Sequence, residues 1–342
     1  MVGAMKEGKV DTLRRRLVRA AVILGLFLLA SALTASAVGY QAMNWQSLWR
    51  DEMTRAVFFQ LRFPRVVMAG LIGSTLGIIG AALQALFRNP LADPFVLGVS
   101  GGGAFGASIA ITFGWGAHVS GLPIVFIMAF AGAGVAVLIA YRITRQSGPF
   151  GLPSALLLAG VVINLIANAG VITIQYLTDY TRALQILRWL IGSLDVVGFD
   201  LIVRMLIFLI PSWIVLLAFS NELQLFAVDE ETAVSLGVDV RRLELYVYVF
   251  SCLGVGITVA AGGMIGFVGL IVPHIVRQLF GQDVRLVLPC SALLGAAFLI
   301  LTDALARTIL GQAELPVGAV TGILGGPFFL WLLHNQYRKG ET

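Results

Sequence analysis

The chain has 342 residues, 58% of them hydrophobic and only 12% charged, about half the charged share of a soluble domain. Its mean hydropathy of +0.93 excludes a soluble protein and defines an all-α polytopic membrane protein, with no polar stretch long enough for a second domain; we read residues 1–342 as one transmembrane domain. The net charge of +5 is not a nucleic-acid signal, because the basic residues sit in short loops where they set orientation.

In chain order, Arg14-Arg15-Arg16, an apolar run and Ala35-Ser36-Ala37 imitate a cleaved signal. The apolar run over 17–40 is longer than a signal core of roughly 7–15 residues, and we expect a retained first span. Residues 47–60, with Trp49, Val57 and Phe58 among charges, predict a short helix lying on the outer surface. A second span over 66–87 is stopped by Arg88-Asn89-Pro90, since proline cannot continue the ladder and biases the residue before it away from helical angles. Asp93 as N-cap and Pro94 at the first helical position start a return helix.

Apolar runs divided by charges, prolines and glycines give ten spans, over 17–40, 66–87, 95–113, 121–141, 153–177, 199–219, 243–262, 267–280, 286–306 and 316–334. The eighth is short, contains Pro273, and is tolerable only where protein covers its ends. With the N-terminus inside, fifteen of the 23 Lys and Arg fall in inner segments and seven in outer ones, so both termini are predicted cytoplasmic. Spans two to five and seven to ten then run in opposite senses. That suits an inverted repeat, although the halves share no convincing identity.

No lysine occurs between Lys9 and Lys339. A P-loop needs a lysine on the phosphates, so ATP is not bound here in that way. Gly101-Gly102-Gly103 lies in an apolar span and predicts close helix packing. Cys252 and Cys290 stand alone in apolar runs, and His118, His274 and His334 form no ligand spacing. We expect no metal or cofactor and no catalysis. Asp303 is the one carboxylate well inside a predicted span, placed i,i+4 from Arg307. With no proton relay in the spans, the driving energy is expected from a partner; a secondary transporter would have to use Asp303 for proton coupling.

Between spans six and seven lies AVDEETAVSLGVDVRR, residues 227–242. Asp229, Glu230 and Glu231 load a first helical turn, Ala233, Val234 and Leu236 give an apolar side, and Gly237 is placed as the stop. The segment is either an ordinary capped loop helix or a landing site for a cytoplasmic partner. On the outer side, Arg62 and Arg65 frame Pro64, and Arg307 ends span nine; they are interfacial anchors or contacts for an outer partner. In span five, Asn164, Asn168 and Gln175 share one face, serving either interhelix hydrogen bonds or a pathway.

Several stretches carry a family resemblance: R-x-P-R at Arg62–Arg65, the following GxxLGxxGxxxQxxxRNPLAxPxxLG pattern, LLLAGVVIN ending at Asn164, Trp189 with Gly192-Ser193, GFVGLIVPH over 266–274 and ELPVGAVTGILGGPFFLWLL over 314–333. Over roughly residues 60–335 the chain resembles the FecCD/cobalamin-permease family, the type II membrane subunits of ABC importers for iron–siderophore complexes, haem and cobalamin. The resemblance implies a homodimer with two ATPase subunits that bind the ATP, in the bacterial cytoplasmic membrane, served by an extracytoplasmic substrate-binding protein. It implies that Glu230, Glu231, Ala233, Leu236 and Gly237, with Asp229, form a coupling helix (about 227–238) seated on the ATPase. It implies that Arg62, Arg65 and Arg307 pair with glutamates of the binding protein. It places the pathway along span five (Asn164, Asn168, Gln175), with a gate at Gly151-Leu152-Pro153-Ser154. Base rates in the family favour an iron complex as cargo.

Overall fold

The computed structural model describes residues 2–38, 51–115, 118–119, 121–144, 152–310 and 314–340, with side chains from 13 onward except 152–154, 332–333 and 335–340. Ten helices follow the predicted order: Val2–Ala37, Phe63–Leu86, Val99–Thr112, Ile124–Thr144, Leu152–Leu177, Asp200–Ala218, Val240–Gly262, Val268–Phe280, Val284–Ala306 and Val317–Gly340. We call them spans one to ten. Seven are long and apolar enough to cross a bilayer, whereas spans three, eight and ten hold shorter apolar helices. A short helix, Tyr180–Ile191, follows span five, and two more, Ser220–Val228 and Glu230–Ser235, join spans six and seven. A two-residue antiparallel ribbon, His118–Val119 with Leu122–Pro123, lies between spans three and four.

Two local expectations are corrected. Residues 39–50 lie outside the described residues, but Glu52–Val57 is no separate surface helix. It runs through a π-turn, Phe58–Arg62, straight into span two. Pro64 lacks the N–H that would bond the Gln60 carbonyl, and the Gly198 N–H donates to that carbonyl instead, at 2.8 Å. The return helix after span two also starts later than Pro94. Asp93 caps only a 3₁₀ turn, Pro94–Leu97; Gly98, at φ 84°, then redirects the chain and span three begins at Val99. That left-handed angle suits glycine, and the Gly98 backbone closes on Gly160 of span five.

The neighbour relations repeat. Span two packs on nine as seven packs on four, three on four as eight on nine, three on five as eight on ten, and two on eight as seven on three. Spans two and seven pack on each other at the centre. Span eight even begins as span three does, with a left-handed residue, here Phe267 at φ 67°, just before the helix. This is the inverted repeat that the topology suggested.

The centre is held by small residues. In lipid no hydrophobic force draws helices together, so association rests on close packing and hydrogen bonds. A Cβ on Gly73 or Gly77 of span two would lie 2.2 Å from the carbonyl oxygen of Gly295 or Ser291 in span nine; on Gly80 it would lie 1.9 Å from that of Gly269 in span eight. The Gly101–Gly103 run packs likewise, against Asn164, Gly132 and Val259. Gly77→Val should therefore separate spans two and nine and lower the thermal stability of the detergent-purified protein by at least several degrees. Gly134→Val, at a position with nothing within 4 Å, should leave it unchanged in the same melting assay.

Candidate functional site

Two polar assemblies sit at opposite ends of span two. The helix has 24 residues, about 36 Å at helical rise. Arg65 lies in its first turn and Arg88 just past its last.

At the Arg88 end, span two closes with the Arg88 N–H donating to the Ala85 carbonyl and the Asn89 N–H to that of Gln84, at 3.2 and 3.1 Å. This is the Schellman pattern, in which the left-handed residue is usually glycine. Here it is Arg88, at φ 49°. The helix thus stops before Pro90 is reached, by a device other than the proline. A non-glycine residue in that conformation costs roughly 1–2 kcal/mol, and the Arg88 side chain has compensating partners. Its Nη2 donates to Glu230 Oε2 at 2.5 Å, and its guanidinium lies 4.8 Å from the Phe226 ring centroid.

Glu230 opens the helix Glu230–Ser235. Asp229 caps it, accepting from the Thr232 N–H at 2.7 Å and the Thr232 hydroxyl at 2.6 Å. These donors hold the Asp229 carboxyl below the usual carboxylate range. The helix ends at Leu236, and Gly237 turns left-handed at φ 88°. Ala233 is fully buried beneath, whereas Val234 is 56% and Leu236 62% exposed. The predicted segment is thus a capped helix with an exposed apolar side, tied by Glu230 to span two. In the adjoining turn, burial lifts the Asp93 carboxyl to about 6 despite the Phe95 N–H that it accepts.

At the other end, Asp303 is 1% exposed and lies between two guanidinium groups, Arg65 Nε at 3.1 Å and Arg307 Nε at 3.0 Å. The expected i,i+4 pair with Arg307 is present. Arg65 also reaches Glu314 at 2.8 Å and Asp195 at 3.2 Å. Arg307, 6% exposed, donates to the carbonyls of Ala35 and Val38 at 3.2 and 3.3 Å. This clasp joins spans one, two and nine to the segments after the helix Tyr180–Ile191 and before span ten. Arg307 therefore has almost no surface to offer an outer partner, and Arg65 faces one only past its own carboxylates. Arg62, half-buried beside them, is the third arginine of the predicted set.

Asn164 spends both ends of its amide on neighbours: Oδ1 accepts from the Gly101 N–H at 2.9 Å, and Nδ2 donates to the Phe95 carbonyl at 2.8 Å. It pins span five to span three. Asn168 is exposed on the surface of the chain and Gln175 is half-buried. Leu152, Pro153 and Ser154 form the first helical turn of span five. Gly151 and the side chains of Pro153 and Ser154 lie outside the described residues. Cys252 and Cys290 are buried free thiols. Sequence reasoning misses Arg88, Glu314 and Asp195; Arg88 reads locally as part of the helix stop, and its partner lies 142 positions away.

Ten apolar spans in an inverted repeat, with a buried ion clasp at one end and an exposed, capped, apolar-sided helix at the other, define the membrane domain of a transporter. The chain matches the model of the FecCD transport family over residues 19–335. It belongs to that family, the membrane permease subunits of ABC importers. It is 40% identical to the uncharacterised ABC transporter permease protein YvrB of Bacillus subtilis, covering 85% of this chain and 82% of that one. It is 35% identical to the hemin transport system permease protein HmuU of Yersinia pestis, covering 91% and 94%. With the vitamin B12 import system permease protein BtuC of Vibrio cholerae it shares 36% identity, covering 92% and 93%. A solved structure described as an inward-facing ABC transporter of metal-chelate type superposes with a TM-score of 0.80 at 31% identity, covering 93% of this chain and 99% of that one.

The clasp carries a direct consequence. Removing one partner of a buried ion pair leaves the others unpaired and costs about 3–5 kcal/mol, whereas exposed pairs contribute under about 1 kcal/mol. Asp303→Ala should therefore lower unfolding stability by about 3 kcal/mol. Asp195→Asn should change it by less than about 1 kcal/mol, since Asp195 is largely exposed; denaturation in detergent reads both.

Proposed function

We propose that this chain is the membrane permease of an ATP-driven importer for a metal chelate, with an iron(III)–siderophore complex as cargo. Two copies form the translocation unit with two ATPase subunits that bind the ATP, and a binding protein delivers cargo to the Asp303 end. The Glu230 end and both termini face the bacterial cytoplasm, in keeping with the excess of Lys and Arg on that side. The same machinery carrying haem or cobalamin is the second reading, favoured by the names of HmuU and BtuC.

The observation that carries the proposal is the Glu230–Ser235 helix. Val234 and Leu236 are exposed among Glu230, Glu231, Asp239, Arg241 and Arg242, a setting too charged to be lipid-facing, and an apolar face there calls for a protein partner. Arg88 would pass displacement of that helix to span two. Asp303, held between two guanidinium groups, is poorly placed to exchange protons, which speaks against secondary transport. On the opposite face, Arg65 already holds Glu314 and Asp195, and docking of glutamates from a binding protein would exchange carboxylates on Arg65 beside Arg62, with Arg307 as a fixed support. Asn168 and Gln175 remain the candidates for the pathway, with Pro153 and Ser154 for its gate, and Asn164 positions span five.

Proteoliposomes holding the permease, its ATPase and its binding protein should accumulate ferric siderophore only with ATP inside the ATPase compartment. Leu236→Asp should reduce that uptake at least tenfold without lowering expression. Uptake driven by a proton gradient without ATP would overturn the mechanism. ATP-driven uptake of haem or cobalamin, but not of ferric siderophore, would select the second reading.

A further inference from the structure

Beside the Glu230–Ser235 helix a cavity of about 660 Å³ opens between the turn after span two, the helix Ser220–Val228 and the loop joining spans eight and nine. Its charged lining groups are Arg88, Arg277 and Asp283, and His274 also lines it. Arg88 is matched by Glu230 and Asp283 by Arg285. Arg277 has no carboxylate partner among the described residues; its Nη1 donates to the Gln84 side-chain oxygen at 2.5 Å. Gln84 is itself buried and donates to the Gly269 carbonyl at 3.2 Å. A neutral, anchored amide thus holds a guanidinium that lines the cavity, its remaining donors without a partner among the described residues. Gln278, hydrogen-bonded to His274, stands at the exposed rim. The site is net positive and rich in donors, which fits an oxyanion held by an arginine fork.

The surroundings say where that oxyanion comes from. The rim carries two exposed apolar side chains, Val228 in the lining and Leu279 next to Gln278, and the cavity shares Arg88 with the coupling helix. A surface covering Val234 and Leu236 would cover this mouth as well. The cavity is far larger than one free phosphate needs, and has room for the tip of a chain segment. Span two, which forms its back wall, is enclosed by other helices and away from lipid. Resting on the function proposed above, we infer that the cavity is a second docking point for the ATPase subunit, a socket in which Arg277 receives an acidic side chain projecting from the partner. The coupling helix would supply the apolar contact, and the socket would fix its orientation.

Affinity of the reconstituted permease for its purified ATPase subunit, measured at low and high salt, tests this. Arg277→Glu, and Gln278→Glu as a rim substitution that spares the Gln84 bond, should each weaken association about tenfold near 0.05 M salt. The difference should shrink to about twofold near 0.5 M as charges are screened. Arg277→Lys, which keeps the charge, should bind within about threefold of wild type. Leu236→Asp should abolish binding at both salts. If Leu236→Asp abolishes binding while both glutamate variants bind as wild type, the socket is overturned and the coupling helix stands. If Leu236→Asp binds normally, the function proposed above is overturned and the socket with it. If inorganic phosphate or phosphatidylglycerol vesicles raise the melting temperature of the wild-type permease but not of Arg277→Gln, with ATPase affinity unchanged by Arg277→Glu, the cavity serves a free anion or a lipid headgroup and the inference fails. Should Arg277→Glu not fold, Gln278→Glu alone decides.

Discussion

Backbone-to-backbone contact along span two is the constraint from which the rest of this molecule follows. Gly73, Gly77 and Gly80 leave no room for a side chain between span two and the carbonyls of spans nine and eight. Apolar side chains gain nothing by leaving lipid for protein, so this proximity supplies the packing that a soluble core would draw from burial. A helix seated so closely moves with its neighbours or not at all. Its ends are therefore where force can enter and leave, and each end carries an arginine. Arg88 is tied to a helix exposed on one face, and Arg65 to a buried carboxylate on the other.

The two ends differ in kind. The Asp303 clasp is desolvated and joins elements distant in sequence, so it holds the far ends of spans two and nine and the end of span one in one register. The Arg88 end is half-exposed and rests on one ion pair, one ring and a left-handed backbone angle. A stiff end and a yielding end suit the lever that the proposed function calls for.

Much of the fold was legible because hydropathy and helix breakers act locally. Spans two to nine fall within four residues of their expected limits, whereas the first helix begins at Val2 and the last runs on to Gly340. The loop helix is capped by Asp229 and stopped at Gly237 as its residues predict, although it starts at Glu230, with Ala227 and Val228 ending the helix before it. What depended on distant partners was not legible. Arg65 looks like an outer surface arginine until Asp303 and Glu314 are brought to it, and Arg307, whose local pair with Asp303 was legible, does so until the carbonyls of span one are. The stop after span two falls where Pro90 predicts it but is made by Arg88, and nothing local announces an arginine in a position that glycine usually fills. Asn164 reads locally as a path-lining or a helix-joining residue, and its bonds to Gly101 and Phe95, which no local pattern announces, show that it joins span five to span three. The lead-in to span two looked amphipathic enough to lie flat. The bond from Gly198 to the carbonyl freed by Pro64 keeps it in line instead.

The central claim is that motion imposed at the Glu230 helix reaches the bundle through Arg88. The number of cargo molecules imported per ATP hydrolysed, compared between wild type, Arg88→Ala, Glu230→Gln and the double variant, tests it most directly. The account predicts that each single change lowers that ratio severalfold while ATP hydrolysis continues, and that the double variant is no worse than either. An unchanged ratio in both single variants would contradict it.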